Sequence, residues 1–233
     1  MAFAVAGCGG GSGSSSSGGP GTSGGVVYSS DYFGLEVGFQ LTGSYSQNDN
    51  GTNSTGSEVI NVMSVTSSSS GAYIFKVADN NDKETLGSSG YYAEKSGSKY
   101  YDYGEWEGTT DDLEDTPVLM VTNPVTASFT SPEWGTNKGQ VSVTVSAGTF
   151  TAWLFENNYT DDDIICCDKR WFVPYLGLVK VIYTETKDGA TIWDWTITLN
   201  SSAKGVTVTS NTINTSQVKT QSTTKRKHMG MFY

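Results

Sequence analysis

The chain has 233 residues, of which 36% are hydrophobic and 12% aromatic, enough for one well-cored domain with tails to spare. Its formal net charge of −10 excludes nucleic acid as a natural partner, because phosphate binding needs clustered Lys and Arg. Twenty-eight glycines, abundant Ser and Thr, and almost no helix-period stretches predict an all-β, mainly antiparallel fold.

Residues 1–7, MAFAVAG, are apolar and small and run straight into Cys8. Residues 9–25 that follow are almost wholly Gly, Ser and Thr, a composition that buries nothing and behaves as a flexible tether. The segment Val5-Ala6-Gly7-Cys8 resembles a bacterial lipobox, in which a signal peptide is cut before a cysteine carrying a diacylglyceryl thioether. A secretory signal peptide also has a basic start and a longer apolar stretch, so the expectation is that Met1 lies inside the original apolar region. This resemblance implies lipidation at Cys8, a membrane partner through the lipid, and a place in the bacterial cell envelope. No stretch reaches the ~18 apolar residues of a spanning helix.

A β domain is expected over 26–200, between the residual signal peptide and lipobox at 1–8 with the tether at 9–25, and a weakly ordered tail at 201–233. It opens on Asp31-Tyr32-Phe33-Gly34-Leu35-Glu36-Val37-Gly38, and the polar residues 46–57 read as a long hairpin connection. Alternation through Val59, Asn61, Met63 and Val65, a serine turn ending at Gly71, and Tyr73, Phe75 and Val77 predict a hairpin. A second is predicted from Gly90 to Trp106 around Lys95-Ser96-Gly97-Ser98. The acidic stretches 79–84, 111–115 and 161–163 concentrate hard oxygen ligands but lack the spacing of a calcium loop, so they read as solvated loops and no metal site is expected. The most helix-permissive stretch, Asp111 to Met120, is acidic and interrupted by Pro117.

Two dense blocks lie within residues 145–180. Val141, Val143 and Val145 alternate with Ser and Thr as a half-buried strand does, and Ala147-Gly148 supplies small residues where a strand can bulge. In the second block a strand is expected to end near Val173, turn through Pro174 to Gly177, and restart at Leu178. Further on, Lys187-Asp188-Gly189-Ala190 suits a type I′ turn, and Trp193, Trp195, Ile197 and Leu199 form one apolar face.

If Cys8 is lipidated, the remaining cysteines are the neighbours Cys166 and Cys167, for which a vicinal disulfide is expected in an oxidising compartment. The pair would act as a rigid loop staple or, as the lesser reading, a labile redox element, whereas a zinc or copper site would need further soft ligands, and the one histidine, His228, lies far away in the basic cluster Lys225-Arg226-Lys227-His228.

The order of Asp31 to Gly38, then Val145-Ser146-Ala147-Gly148-Thr149-Phe150, then Trp171-Phe172-Val173-Pro174-Tyr175-Leu176-Gly177-Leu178-Val179-Lys180 resembles a group of bacterial surface or periplasmic lipoproteins. Those domains open on a "YFPL-x-VG" type segment, carry a "V-x-AGTF" strand and close on a "W-Y-x-P-x-x-GLVK" strand. They are similar in fold to lipoprotein-carrier and DUF3108-type domains. The resemblance covers about residues 31–199 and implies a strongly curved sheet or half-open β-barrel of hairpins. The chain departs from it at Gly34, where a proline is common, and at residues 39–45, where a Trp-x-Tyr is lacking.

No constellation for catalysis stands out, and no cofactor is expected: one tail histidine supplies no triad, and the Gly-rich runs are tether rather than a phosphate loop. Glu105 and Glu107 flank Trp106 on one strand and are expected to face solvent, which leaves a glycoside-type hydrolase as the lesser reading. The expectation is therefore a non-enzymatic, membrane-anchored protein with a structural or scaffold role. The alternative is a carrier whose concave sheet holds an apolar ligand or a glycan on Trp153, Trp171, Tyr175, Trp193 and Trp195, with an envelope protein, lipid or glycan as partner. The concave face of such a sheet must be covered by a helix, a plug or a ligand, and Trp153 and Trp171 are expected to fill it.

Overall fold

A computed structural model of the chain describes residues 25–80 and 86–208. Among them there is no helix. Twelve strands form one antiparallel sheet: β1 (Gln40–Asp49), β2 (Thr52–Ser67), β3 (Tyr73–Asp79), β4 (Ser89–Ser96), β5 (Lys99–Glu107), β6 (Thr110–Thr122), β7 (Thr130–Ser131), β8 (Gly135–Val145), β9 (Gly148–Asp161), β10 (Ile164–Val173), β11 (Gly177–Lys187) and β12 (Ala190–Ala203). Their spatial order is β6-β5-β4-β3-β2-β1-β12-β11-β10-β9-β8-β7. Sequence neighbours therefore pair as hairpins, except β6 and β7 at the two ends of the sheet, and the pairing of β1 with β12 rolls it into a nearly closed barrel. The all-β, half-open barrel of hairpins read from the sequence is the architecture observed.

The one seam runs between β6 and the β7–β8 edge. It is bridged where Ser131 Oγ donates to the Leu119 carbonyl at 3.4 Å and Asn137 Nδ2 donates to the Thr126 carbonyl at 2.9 Å. Free strand edges invite pairing with other chains. Here β6 carries Asp111, Asp112, Glu114, Asp115 and Pro117 along its edge, charges and a missing N–H that oppose such pairing.

Several local expectations change. Residues 46–57 are no long loop: β1 and β2 run to a tight turn at Asn50-Gly51, both with positive φ (48° and 86°), as a type I′ turn requires. Ala147-Gly148 is no mid-strand bulge either, since Val145 pairs with Gly148 and Ser146-Ala147 form the β8–β9 turn. The acidic stretch at 111–115 belongs to β6, and Asp162-Asp163 make the β9–β10 turn. The strand β12 continues through Ala203, past the expected boundary at 200, and Val206 N donates to the Gly38 carbonyl. The β10–β11 turn at 174–176 and the Asp188-Gly189 turn fall where the sequence places them.

No strand forms over residues 29–39. That segment instead turns into the barrel and fills it. Asp31 Oδ1 accepts the Phe33 and Leu35 amides at 2.9 and 3.2 Å, a tight knot that the short carboxylate side chain makes locally. Gly34 takes φ +91°, and a Cβ there would lie 3.2 Å from the Leu176 carbonyl oxygen. The knot thrusts Phe33, fully buried, between Tyr100, Trp134 and Phe172, with ring centroids 5.3, 5.7 and 5.6 Å away. Three aromatic contacts on one ring make this plug the centre of the hydrophobic core.

Candidate functional site

Phe33 occupies one end of the barrel interior. Toward the other end the inner face of β1 and β9–β12 turns polar in steps that the register fixes. Beyond Phe172, Arg170 lies level with Phe155, Val181, Ile197 and Tyr45; next, Asp168 with Asn157, Tyr183, Trp195 and Gln47; then, at the rim, Cys166 with Tyr159, Glu185, Trp193 and Asp49. Period-two alternation on β10 puts Cys166, Asp168, Arg170 and Phe172 on one face, and all four are buried.

Arg170 and Asp168 form an ion pair two residues apart on the same strand. Nε and Nη2 both donate to Asp168 Oδ2, at 2.9 and 2.6 Å. The guanidinium carbon lies 5.8 Å from the centre of the Trp134 ring, close enough for a cation–π contribution. With side-chain exposures of 3% and 7%, each charge is costly to bury and tolerable only because the other is present. Nearer the rim, Tyr159 and Tyr183 hydroxyls stand 3.2 Å apart, and Tyr183 donates to Glu185 Oε1 at 3.1 Å. Burial, then hydrogen bonding to Cys166 and Tyr159, pushes the Tyr183 phenol well above its ordinary range. Tyr183 is therefore a fixed donor at neutral pH, not a phenolate base.

A second polar group lies at the seam. Asp102 on β5 accepts the Gly104 amide at 3.1 Å, and burial, reinforced by Glu133, Glu105 and Glu114, raises its carboxyl to about 7. Among the described residues no group of three or more His, Cys, Asp or Glu side chains is placed to hold a metal ion.

The five aromatic residues proposed for a ligand cleft do not converge on one surface. Trp195 is buried in the core, and Trp193, half-buried at the rim, sits edge-on to Tyr183 at 5.1 Å. Trp171 is half-buried under the Lys180 ammonium at 5.2 Å, and Tyr175 lies in the β10–β11 turn, edge-on to Tyr32 at 5.4 Å. Trp153 is half-buried opposite Phe172 in the ladder. Trp153 and Trp171, expected to fill the core, only pack half-buried against it beside Trp195, and the tryptophan wholly buried within it is Trp134. Its signal was present, for Ser131 and Gly135 bracket it in a turn, but a lone Trp in a polar stretch does not show which way it points.

Cys166 and Cys167 are free thiols, and the expected vicinal disulfide is not formed. Both lie within the continuous β9–β10–β11 ladder, where Cys166 pairs with Tyr159 and Glu185 and Cys167 with Asn158 and Thr184. Consecutive strand residues point to opposite faces, so a bridge would break the ladder. Glu105 pairs with buried Tyr91 and is itself half-buried, so it does not face solvent as expected, whereas Glu107 is exposed. Cys8, His228, and residues 81–84 of the first acidic stretch lie outside the described residues.

No family model matches the chain, and no curated protein matches it. Among solved structures it is similar to one from Parabacteroides distasonis ATCC 8503 classed as a lipoprotein, with a TM-score of 0.48 and 14% identity over 75% of this chain and 99% of that one. It is also similar to one from Bacteroides fragilis NCTC 9343 classed as an exported protein with a YmcC-like fold, with a TM-score of 0.47, 14% identity and the same coverage. At these scores the likeness transfers no role.

Proposed function

We propose that the chain is a membrane-anchored envelope lipoprotein whose β domain serves as a structural or scaffold module and performs no catalysis. The observation that carries this reading is the plug. Residues 29–39 close the concave face with the chain's own aromatic side chains, so the surface that a carrier would keep for an apolar ligand is spent on stability. The same segment joins the domain to the Gly/Ser tether behind Cys8, so an anchor and a filled barrel belong to one continuous stretch. Val27 is held to Ser202 by two hydrogen bonds, at 2.8 and 2.6 Å, which fastens the tether's end to β12.

Two measurements test it. The product made in a bacterial host that processes lipoproteins should enter the detergent phase and carry acyl chains on Cys8 by mass spectrometry; a water-soluble, unmodified Cys8 overturns the anchor. Native mass spectrometry and solvent extraction of the lipid-free domain should find nothing bound. A co-purifying lipid or glycan supports the carrier reading instead, for which the half-buried Trp193 and exposed Tyr159 at the rim are the structural support.

A further inference from the structure

Three polar atoms in the middle of the barrel find no hydrogen-bond partner among the described residues: Arg170 Nη1, Asp168 Oδ1 and Trp134 Nε1. Their residues are 3%, 5% and 0% exposed, so bulk solvent does not serve them. Buried polar groups in native interiors are almost always paired, and the exceptions call for an unseen ligand.

The pair's own geometry creates the need. Arg170 commits both Nε and Nη2 to a single oxygen, Asp168 Oδ2. That leaves Nη1 on the far side of the guanidinium and Oδ1 on the outer side of the carboxylate. Trp134 reaches this corner from the β7–β8 turn, its ring centre 5.8 Å from the guanidinium carbon. The unmet demand is thus two donors and one acceptor, beside a charge pair that sums to zero. A cation would be repelled by Arg170 and an anion by Asp168. An apolar molecule would leave all three atoms unmet. What satisfies them is a small neutral molecule that accepts and donates at once, and in a corner closed to solvent that molecule is water.

We infer that the Trp134–Arg170–Asp168 corner is a buried water site. Its water accepts hydrogen bonds from Trp134 Nε1–H and Arg170 Nη1–H and donates an O–H to Asp168 Oδ1, directly or through a second water. Interiors hold about one buried water per 27 residues, so a site of this size is ordinary for such a chain. Its consequence is particular: Trp134 belongs to the seam edge and Arg170 to β10, two strands in from β8, so the water ties the turn at the open edge to the strands behind it.

The wild-type domain provides the test. A crystal structure sharp enough to show ordered water should place density within hydrogen-bond distance of at least two of the three atoms. In solution the Trp134 indole N–H should show a direct Overhauser effect to a long-lived water. A corner without water, an ion in its place, or protein groups that satisfy the three atoms would each overturn the inference. Trp134→Phe keeps an aromatic ring in the core and removes the pyrrole ring with its donor. Oxygen-17 relaxation dispersion should then show the residence time falling roughly tenfold, the scale of one lost hydrogen bond. An unchanged residence time would remove Trp134 from the site and overturn it as drawn.

Discussion

Asp31 Oδ2 and Lys95 Nζ meet at 2.6 Å, joining the plug to β4 across 64 residues of sequence. Tyr100 adds a hydrogen bond to the same oxygen at 3.1 Å, while Oδ1 holds the local knot. One carboxylate thus shapes the plug and moors it to the wall. Phe33→Ala should cost about 3–5 kcal/mol, as for other fully buried aromatics. Asp31→Asn keeps the knot but loses both the screened ion pair with Lys95 and the acceptor of buried Tyr100, for about 2 kcal/mol. Urea denaturation checks both, and Phe33→Ala alone should gain binding of a hydrophobic dye.

Gly34 should resist substitution more than the turn glycine Gly51. Both have positive φ, but a Cβ at Gly51 meets nothing within 4 Å, while one at Gly34 meets the Leu176 carbonyl oxygen at 3.2 Å. Gly51→Ala should cost about 1 kcal/mol and Gly34→Ala should exceed it. Gly34→Pro should cost most, because proline fixes φ near −65°. Midpoints of thermal unfolding, compared in that order, are the check.

Removing one member of the buried ion pair should be worse than removing both. Arg170→Met leaves Asp168 charged and unpaired, which typically costs about 3–5 kcal/mol. Asp168→Leu combined with Arg170→Met should recover most of that loss. A double variant that loses as much as the two single variants summed would show that the pair is not coupled.

The two thiols should differ in reactivity. Intact mass should be the same before and after reduction, because no bridge joins them. Cys167 is half-buried and its thiol is pushed up by burial, so it should alkylate in the native state, slowly and faster with rising pH. Cys166 should react only on unfolding.

Stability should pass through a maximum in mild acid. Asp102 titrates near 7 in the folded protein against 3.8 when free, so the folded state holds the extra proton and stability falls as pH rises from about 4 to about 7. Glu36 is held down to about 2 by the Ser30 amide and Lys204, so its contribution is present above 4.5 and lost as pH falls toward 2. Asp102→Asn should flatten the upper slope and Glu36→Gln the lower one. Free energies from denaturant titrations across that range separate the two.

Most of the sheet was legible because its signals are local. Asp188-Gly189, the Val173–Gly177 turn and the Trp193 to Leu199 face all follow from period two and turn chemistry. Asn50-Gly51 carried an equally strong signal, masked by the polar residues around it. The plug was not legible: Asp31 to Gly38 has a strand's composition, and its inward turn depends on Lys95, Tyr100 and Leu176, which sequence does not bring near. Nor was the interior ion pair, since Asp168 and Arg170 look like solvated charges until the register places them on the face of Phe172. The cysteine expectation failed for a related reason, because adjacency in sequence was weighed without the ladder that separates neighbouring side chains.

The seam falls near the middle of the chain, where residues 123–129 cross from β6 to β7, while the first and last strands are joined by the full length of β1. Covalent continuity and sheet continuity are thus lost at opposite places. A cut within 126–128 would leave two pieces that share the β1–β12 ladder, with Phe33 of one seated among Trp134 and Phe172 of the other. Such pieces, made separately, form a natural pair for fragment complementation: one protein reassembled from two inert halves, with a ring in a socket as the latch.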